Sequence, residues 1–402
     1  MPASAEASIA LLHTALVDLV LAKEPVSAPV VAALRAVPRD LFLPDASTEE
    51  AYKDNVVVTK RDVYGAPLSS VSRPSTVAAM LEQLQVEPGQ QILEIGSGGY
   101  NAALLAELTG PTGHVTTIDI DQAVIRRARA CLGTAGYTDV TALINDGHFG
   151  FPLRAPYDRI VVTVNAPDIP PAWTTQLVTG GRIVIPLQLR GLLRTVGFSW
   201  DGEILTSDSM RPYGFVRLQG AGARASSPRM IRIADGIRLD IDDDQDADPD
   251  ALRGAISGPS HIHSTGVALS PAADALPSLD LWLATVQPTY GRLHGTDTAI
   301  GPDLPLLPTP AGVSACWSDD SLAYLTFTPA GGTGVEIGVV AHGPDRYRLA
   351  DLLTYDVRVW DAERRGGPDP TIRVYPTDAS RASAPPGRLL TKPSAQLLIT
   401  WD

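Results

Sequence analysis

The chain has 402 residues, of which 44% are hydrophobic and 19% charged, with 35 glycines and 34 prolines. That balance excludes wholesale disorder and fits a globular protein of two domains, rich in loops and with material for a sizeable core. A net charge of −13 argues against a partner held through a phosphate backbone, nucleic acid included, and suits a basic or weakly charged peptide.

The first segment, Met1 to Lys23, has an apolar centre but carries Glu6, His13 and Asp18 and no basic start. It predicts an amphipathic helix with Ile9, Leu12, Leu16, Leu19 and Val20 inward, not a signal peptide. Cys131 and Cys316 stand far apart without a CxxC partner, so neither a disulfide framework nor a zinc site is expected. With no apolar stretch long enough to span a membrane, the expected setting is the cytoplasm.

From about Gln90 the pattern alternates β-rich and helical runs. The strands predicted are 91–96, 114–120, 140–145, 157–164 and 181–187, with helices over 101–108 and 122–136. Such alternation, with near-continuous Val/Ile runs, reads as a parallel sheet covered on both faces, an α/β doubly wound, Rossmann-like domain. Two further strands, 195–200 and 215–220, would close it after a turn at Asp201-Gly202. Around 221–250 the character changes, and the acidic run 240–250 reads as a solvated loop or domain junction. Its Asp-x-Asp-x-Asp spacing lacks the glycine and closing glutamate of a calcium loop, so no metal is expected there or elsewhere. Strands at 322–328, 335–341, 371–376 and 396–401 with a helix over 345–365 make a second, α+β unit. The expected division is 1–222 and 223–402.

The segment from Glu94 through Gly96-Ser97-Gly98-Gly99 to Asn101 follows a strand and opens a helix. Glycines there let the backbone turn and approach a ligand closely. Nucleotide-binding folds of several kinds use such a turn, so it is weak evidence alone. Glu94 discriminates: a diphosphate would be repelled by it, whereas the cationic methionine portion of S-adenosylmethionine would be attracted. Asp119 ends the next strand, where a carboxylate can accept both ribose hydroxyls, and Asp146 follows the third, where it can accept from an adenine amino group. Each acid alone could be an ordinary strand-end residue; together, beside one Gly-rich turn, they form a constellation.

Residues 30–190 resemble protein-L-isoaspartate O-methyltransferases. The matching segments are Val37-Pro38-Arg39-Asp40-Leu41-Phe42, Ala51-Tyr52-Lys53-Asp54, Ser70-Val71-Ser72-Arg73-Pro74, the block from Leu93 to Ala106, Asn145-Asp146-Gly147, Ala155-Pro156-Tyr157-Asp158 and Gln176-Leu177 with Gly180-Gly181-Arg182. The resemblance implies methyl transfer from S-adenosylmethionine, giving S-adenosylhomocysteine, to a carboxylate in an aspartyl or isoaspartyl context. Ser72 then occupies the position of the family's active-site serine and would donate to the acceptor carboxylate, and Ser70 stands where threonine is common. The expected cofactor-binding set is Ser70, Val71, Glu94, Gly96, Ser97, Gly98, Asp119, Ile120, Asp146 and Gly147. The other reading of the serines is that they cap the helix that begins near Ser75. His148, Arg73 and the pair His261/His263 are weaker candidates, read as loop or surface residues.

Two departures stand out: the glycine loop is one residue shorter than Gly-x-Gly-x-Gly, and the lead-in over Lys60–Pro67 is more elaborate. With the extra domain, this layout resembles the actinobacterial isoaspartyl-methyltransferase-like enzymes that modify ribosomally made peptides (lanthipeptides, graspetides, lasso peptides and imiditides). That resemblance implies esterification of a normal L-aspartate in a precursor peptide, followed by ring closure to an aspartimide. The alternatives are an isoaspartyl repair enzyme with an appended domain, and a non-catalytic binding protein with a degenerate cofactor pocket.

Overall fold

The structure, a computed structural model, describes residues 2–224, 229–242, 245–270, 276–295, 311–330, 334–377 and 385–401. Its N-terminal layer holds α1 (Pro2–Lys23), α2 (Ala28–Ala36), α3 (Thr48–Ala51), a hairpin of β1 (Val57–Arg61) and β2 (Pro67–Val71), and α4 (Pro74–Leu84). On α1 the buried stripe is Leu16, Val17 and Val20, with Ile9 and Leu12 half-buried, whereas Leu19, expected inward, is 42% exposed. Prolines 29 and 74 sit in the first turns of α2 and α4, where no backbone donor is needed.

The expected α/β unit follows: β3 (Gln91–Ile95), α5 (Tyr100–Thr109), β4 (His114–Asp119), α6 (Gln122–Thr134), β5 (Thr141–Ile144), β6 (Tyr157–Val162), α7 (Pro171–Thr175), β7 (Leu177–Leu189), β8 (Leu192–Trp200) and β9 (Leu205–Arg211). The spatial order is β5-β4-β3-β6-β7-β8-β9, parallel through β7 and antiparallel beyond it. Strand order reverses between β3 and β6, and a ligand crevice lies beyond the carboxyl ends of strands at such a point. One face packs under α1, α2, α4, α5 and α6, and the other packs against α7 and the second half of the chain.

The strand expected at 215–220 is not one. Arg217 makes an isolated bridge to Asn165, held by Asn165 N donating to Val216 O and Leu218 N donating to Asn165 O, and the chain then turns tightly over Gly220–Arg224. The strand neighbouring β8 is β9, whose Asp201-Gly202 turn is as expected. β9 carries an unbroken polar run, Thr206-Ser207-Asp208-Ser209, and Asp208 there pairs with Arg182.

The second half contains β10 (Arg229–Ala234), β11 (Ile237–Ile241), α8 (Pro249–Ile256), β12 (Ser260–Leu269), α9 (Leu276–Val286), β13 (Gly291–Gly295), β14 (Val313–Ser318), β15 (Ser321–Ala330), β16 (Gly334–His342) and α10 (Arg346–Val359). Its seven strands pair antiparallel in the order β10-β11-β13-β14-β15-β16-β12. The last strands, β17 (Thr371–Pro376), β18 (Arg388–Thr391) and β19 (Ala395–Thr400), return to the first sheet, where Arg373 pairs with Thr206 and Val374 with Leu205. Sheet membership therefore crosses the expected 222/223 division. The edge of β9, which would otherwise offer unpaired backbone groups, is covered by strands that bury Ile372, Leu397 and Ile399. Trp282, Trp360 and Leu279 share one core with Ile183, Val196 and Phe198.

The acidic segment is only partly solvated: Asp242, 4% exposed, accepts from Gln188 Nε2 and Gly191 N and pairs with Lys392, tying the two halves together. Asp243 and Asp244 lie outside the described residues. Among the described residues no helix is long and apolar enough to cross a membrane.

Candidate active site

β3 ends at Ile95 and α5 begins at Tyr100, so Gly96-Ser97-Gly98-Gly99 makes the whole turn. Gly96 has φ +95°, and a Cβ there would stand 2.6 Å from Thr163 Oγ1 and 3.1 Å from Val164 Cγ1. Gly99, at φ +82°, opens α5 with its Cα tucked against Phe42; a Cβ would meet the Phe42 ring at 3.1 Å. Gly96 N still donates to Ile118 O at 2.8 Å, which continues the β3–β4 ladder into the turn. The four-residue loop thus closes without a fifth residue, because Gly99 permits the close packing against Phe42.

Three acids meet at this end of the sheet. Glu94, 1% exposed, accepts from Asn101 Nδ2 at 2.8 Å and from Thr117 Oγ1 at 2.5 Å, and no cation pairs with it among the described residues. Burial pushes its carboxyl up to about 7, with a smaller upward push from Asp119. Asp119 accepts from Ser97 N at 3.1 Å and from Asp121 N at 2.8 Å, and burial raises it too. Each of its oxygens keeps a free acceptor site after those bonds. Asp146 accepts from His148 N at 3.0 Å and from Ala221 N at 2.8 Å.

The Asp146 turn is held from behind. Trp173, fully buried, donates to Gly147 O at 2.8 Å, and Gln176 bonds both Phe149 O and Phe151 N. A Cβ at Gly147 would stand 2.4 Å from Ile95 Cγ2. Gly220, φ +76°, packs between Asp146 and Ile120, where a Cβ would come within 2.3 Å of Asp146 Oδ2. The segment 219–222 therefore forms a wall directly against Asp146, a role that reading it as a strand misses. The close-set Gly220-Ala221-Gly222 was the available signal. His148, read as a bland loop residue, lies beside this wall with Nδ1 buried and unpaired.

β2 crosses over the turn, with Ser70 O and Val71 Cγ2 each 3.7 Å from the position of a Cβ on Gly98. Ser72 follows, half-buried, and its hydroxyl bonds to no protein group among the described residues. The capping alternative is filled by another residue. Asp54 accepts from Ser75 N at 2.9 Å and Ser75 Oγ at 3.0 Å, while Lys23 pairs with it at 2.7 Å. Arg39, fully buried, donates to Ala51 O, Lys53 O, Asn55 O and, at 3.1 Å, Ser72 O. Asp54 and Arg39 thus fix the start of α4 and leave the Ser72 hydroxyl free for a ligand. Both lie in segments that carry the family resemblance, yet neither role is legible there, because their partners lie 21 and 33 residues away.

Beside Gly98 a cavity of about 320 Å³ opens between the hairpin and α6, lined by Thr59, Lys60, Ser69, Ser97 and Arg127 among others. Lys60 pairs with Asp121, which caps α6, so the hairpin is strapped to the residue next but one after Asp119. The Ser97 hydroxyl, on a residue 3% exposed, is buried without a partner. Arg73 is exposed, and His261 and His263 lie on β12 in the other sheet, His261 against Tyr347.

These groups fit S-adenosylmethionine. A buried carboxylate served only by neutral donors suits an ammonium, and Asp119 has acceptor capacity for hydroxyls. The unpaired Ser97 Oγ awaits a polar partner, and the backbone at Gly96 and Gly147 forms a cradle that a Cβ would fill.

Residues 13–219 match the family model described as protein-L-isoaspartate(D-aspartate) O-methyltransferase. A protein-L-isoaspartate O-methyltransferase of Ignicoccus hospitalis is 42% identical over 160 residues, covering 40% of this chain and 73% of that protein. One from Methanoregula boonei is 39% identical over 207 residues, 51% of this chain and 91% of that one. A solved structure bearing the same name aligns over 90% of this chain and 96% of its own, with a TM-score of 0.51 and 19% identity, which is a likeness of fold.

Proposed function

The chain belongs to the protein-L-isoaspartate(D-aspartate) O-methyltransferase family, and on that premise we propose that its groove esterifies an isoaspartyl or aspartyl carboxylate of a peptide. The observation that carries this reading is the convergence of Glu94, Asp119 and Asp146 around the glycine turn, with the uncommitted hydroxyl of Ser72 beside it. S-adenosylmethionine, the cofactor of this enzyme class, supplies an electrophilic methyl group on a sulfonium.

In the division of labour we propose, Glu94 and Ser97 hold the methionine portion, Asp119 and Ile120 the ribose, and Asp146 and Gly147 the adenine, while Ser70, Val71, Gly96 and Gly98 line the path. An acceptor carboxylate is already ionised near neutrality, so no general base is required. What the protein supplies is placement and exclusion of water. Ser72 donates a hydrogen bond to the acceptor, weaker than a full cation and so not a trap for the nucleophile. Arg39, holding Ser72 O, keeps that hydroxyl in register.

The acceptor we favour is the isoaspartyl one, in keeping with the family. A second reading, a normal aspartate of a ribosomally made precursor peptide, rests on the Lys60–Pro67 lead-in. It forms a projecting hairpin whose tip residues Val63 and Tyr64 are 91% and 92% exposed, a surface suited to one particular peptide. There the side-chain ester would be attacked by the next backbone nitrogen, methanol would leave, and an aspartimide would remain. The added domain favours neither, since a solved structure named for the isoaspartyl activity spans nearly the same architecture. The non-catalytic alternative loses its ground, because the short glycine loop closes normally.

The two acceptors separate when matched peptides, one isoaspartyl and one with ordinary aspartate, are compared by mass spectrometry for methyl gain and methanol loss. Esterification of the ordinary peptide alone would favour tailoring and contradict the isoaspartyl reading. Ser72→Ala should lower kcat on the order of 10- to 100-fold and leave S-adenosylhomocysteine affinity nearly intact. An unchanged kcat would remove Ser72 from the mechanism.

A further inference from the structure

The amino-acid end of S-adenosylmethionine carries an ammonium and a carboxylate on one carbon atom, so the two must be bound side by side. Glu94 suits the ammonium, yet Glu94, Asp119 and Asp146 all repel the carboxylate beside it. A cofactor held at the glycine turn therefore calls for a counter-charge within reach of that turn.

The cavity of about 320 Å³ under the β1–β2 hairpin supplies one. Ser97 and Gly98 of the turn form one side of it, and Thr59, Lys60, Ser69 and Arg127 stand around the rest. Arg127 is engaged at the rim, with Nη1 donating to Asp45 at 2.5 Å. Lys60 faces the cofactor end of the sheet through short steps. Its Nζ pairs with Asp121, Asp121 N donates to Asp119 Oδ1 at 2.8 Å, and Asp119 Oδ2 accepts from Ser97 N at 3.1 Å. Burial raises the Asp119 carboxyl, and the Lys60 charge pulls it part of the way back.

A lysine ammonium has three donors. Asp121 takes one, and the other two have no acceptor among the described residues. With 37% of its side chain exposed, Lys60 can turn them toward a ligand. The hydroxyls of Thr59 and Ser69, bonded to each other at 3.1 Å, keep one proton between them to donate. Asp121 caps α6, whereas no side chain caps α5 and its first turn holds no acid, so the backbone donors near Gly98 favour an anion in the same corner. An exposed lysine–aspartate pair is often no more than a strap between elements. Lys60 differs because the cavity it lines has the glycine turn as its other wall.

We propose that Lys60 is a further cofactor-binding residue, its ammonium bridging Asp121 and the carboxylate of the amino-acid end of S-adenosylmethionine. The proposal rests on the reading of the groove as the site of that cofactor. Because β2 of the same hairpin runs on into Ser72, this contact also ties the cofactor to the strand that carries the acceptor-binding serine.

The test is calorimetric titration of the full chain with S-adenosylhomocysteine and with its decarboxylated counterpart, S-adenosyl-3-thiopropylamine, which keeps the ammonium. The parent chain should bind S-adenosylhomocysteine roughly tenfold more tightly than the decarboxylated ligand. Lys60→Met should bind S-adenosylhomocysteine roughly tenfold more weakly than the parent and the decarboxylated ligand within about twofold of it. Asp121→Asn, which breaks the strap but keeps the lysine, should hold S-adenosylhomocysteine at least as tightly as the parent. An unchanged affinity for S-adenosylhomocysteine in Lys60→Met, or an equal loss of both ligands there, would overturn the proposal. So would a loss in Asp121→Asn as large as that in Lys60→Met, which would reduce Lys60 to a strap. The comparison of ligands on the parent needs no variant: equal affinity for the two overturns the proposal even where a substituted chain fails to fold. Binding of neither ligand by the parent would instead overturn the cofactor reading itself, a result distinct from binding without discrimination.

Discussion

Burial changes the chemistry of Glu94. In water its carboxyl would be ionised at neutral pH, but in the sheet it is lifted from 4.5 to about 7, chiefly by desolvation. The ligand-free fold therefore favours the protonated form. Its contribution to stability is fully present below about pH 4.5 and is lost as pH rises through about 7. A bound ammonium favours the opposite, ionised form. S-adenosylhomocysteine should therefore bind with release of a proton near pH 6 and gain affinity up to about pH 7 before levelling. Calorimetry in buffers of different ionisation heat measures that proton, and Glu94→Gln should abolish both the release and the pH dependence. Release undiminished in that variant would assign the proton elsewhere. At this scale the acids were legible because each closes a hydrophobic run, whereas Arg39 and Asp54 act through partners that only the fold brings near.

Among the elements, the glycine turn decides whether a shortened loop still makes a cofactor cradle. Gly99 carries the shortening: its positive φ and its packing on Phe42 let α5 begin one residue early. Gly99→Ala should cost about 1–3 kcal/mol through backbone strain and the 3.1 Å approach to the Phe42 ring, seen as a lower chemical-denaturation midpoint. A variant as stable as the parent would show that the turn has another way to close. The parallel strands were readable because buried β-branched runs such as Ile160–Val162 have few other uses. Two elements were not. The alternation in Phe215–Gly220 mimics a strand but is satisfied by a single residue, Asn165. β9 hides its strand character behind polar residues that find partners at long range, Asp208 with Arg182 and Ser207 Oγ with Ile372 N.

For the whole molecule, the two sheets are not beads on a string. The C-terminal strands extend the first sheet past β9, and Asp242 with Lys392 pins the junction. Sequence order suggested a clean division at 222/223, because no local pattern announces that 371–400 will return across the chain. A chain ending at residue 222 should therefore expose the β9 edge together with Val196, Phe198 and Leu205, and should aggregate or lose its cooperative melt. A soluble fragment with a sharp transition would show that the first sheet is complete without its returning strands.

The most direct test of carboxyl methylation at the Ser72–Glu94 groove uses S-adenosylmethionine labelled in its methyl group, with an isoaspartyl peptide as acceptor. Label should enter the peptide as an ester that releases methanol in mild base, and it should drop sharply in Ser72→Ala with S-adenosylhomocysteine still bound. Cofactor binding with no base-labile label in any aspartyl or isoaspartyl peptide, or full labelling by Ser72→Ala, would contradict it.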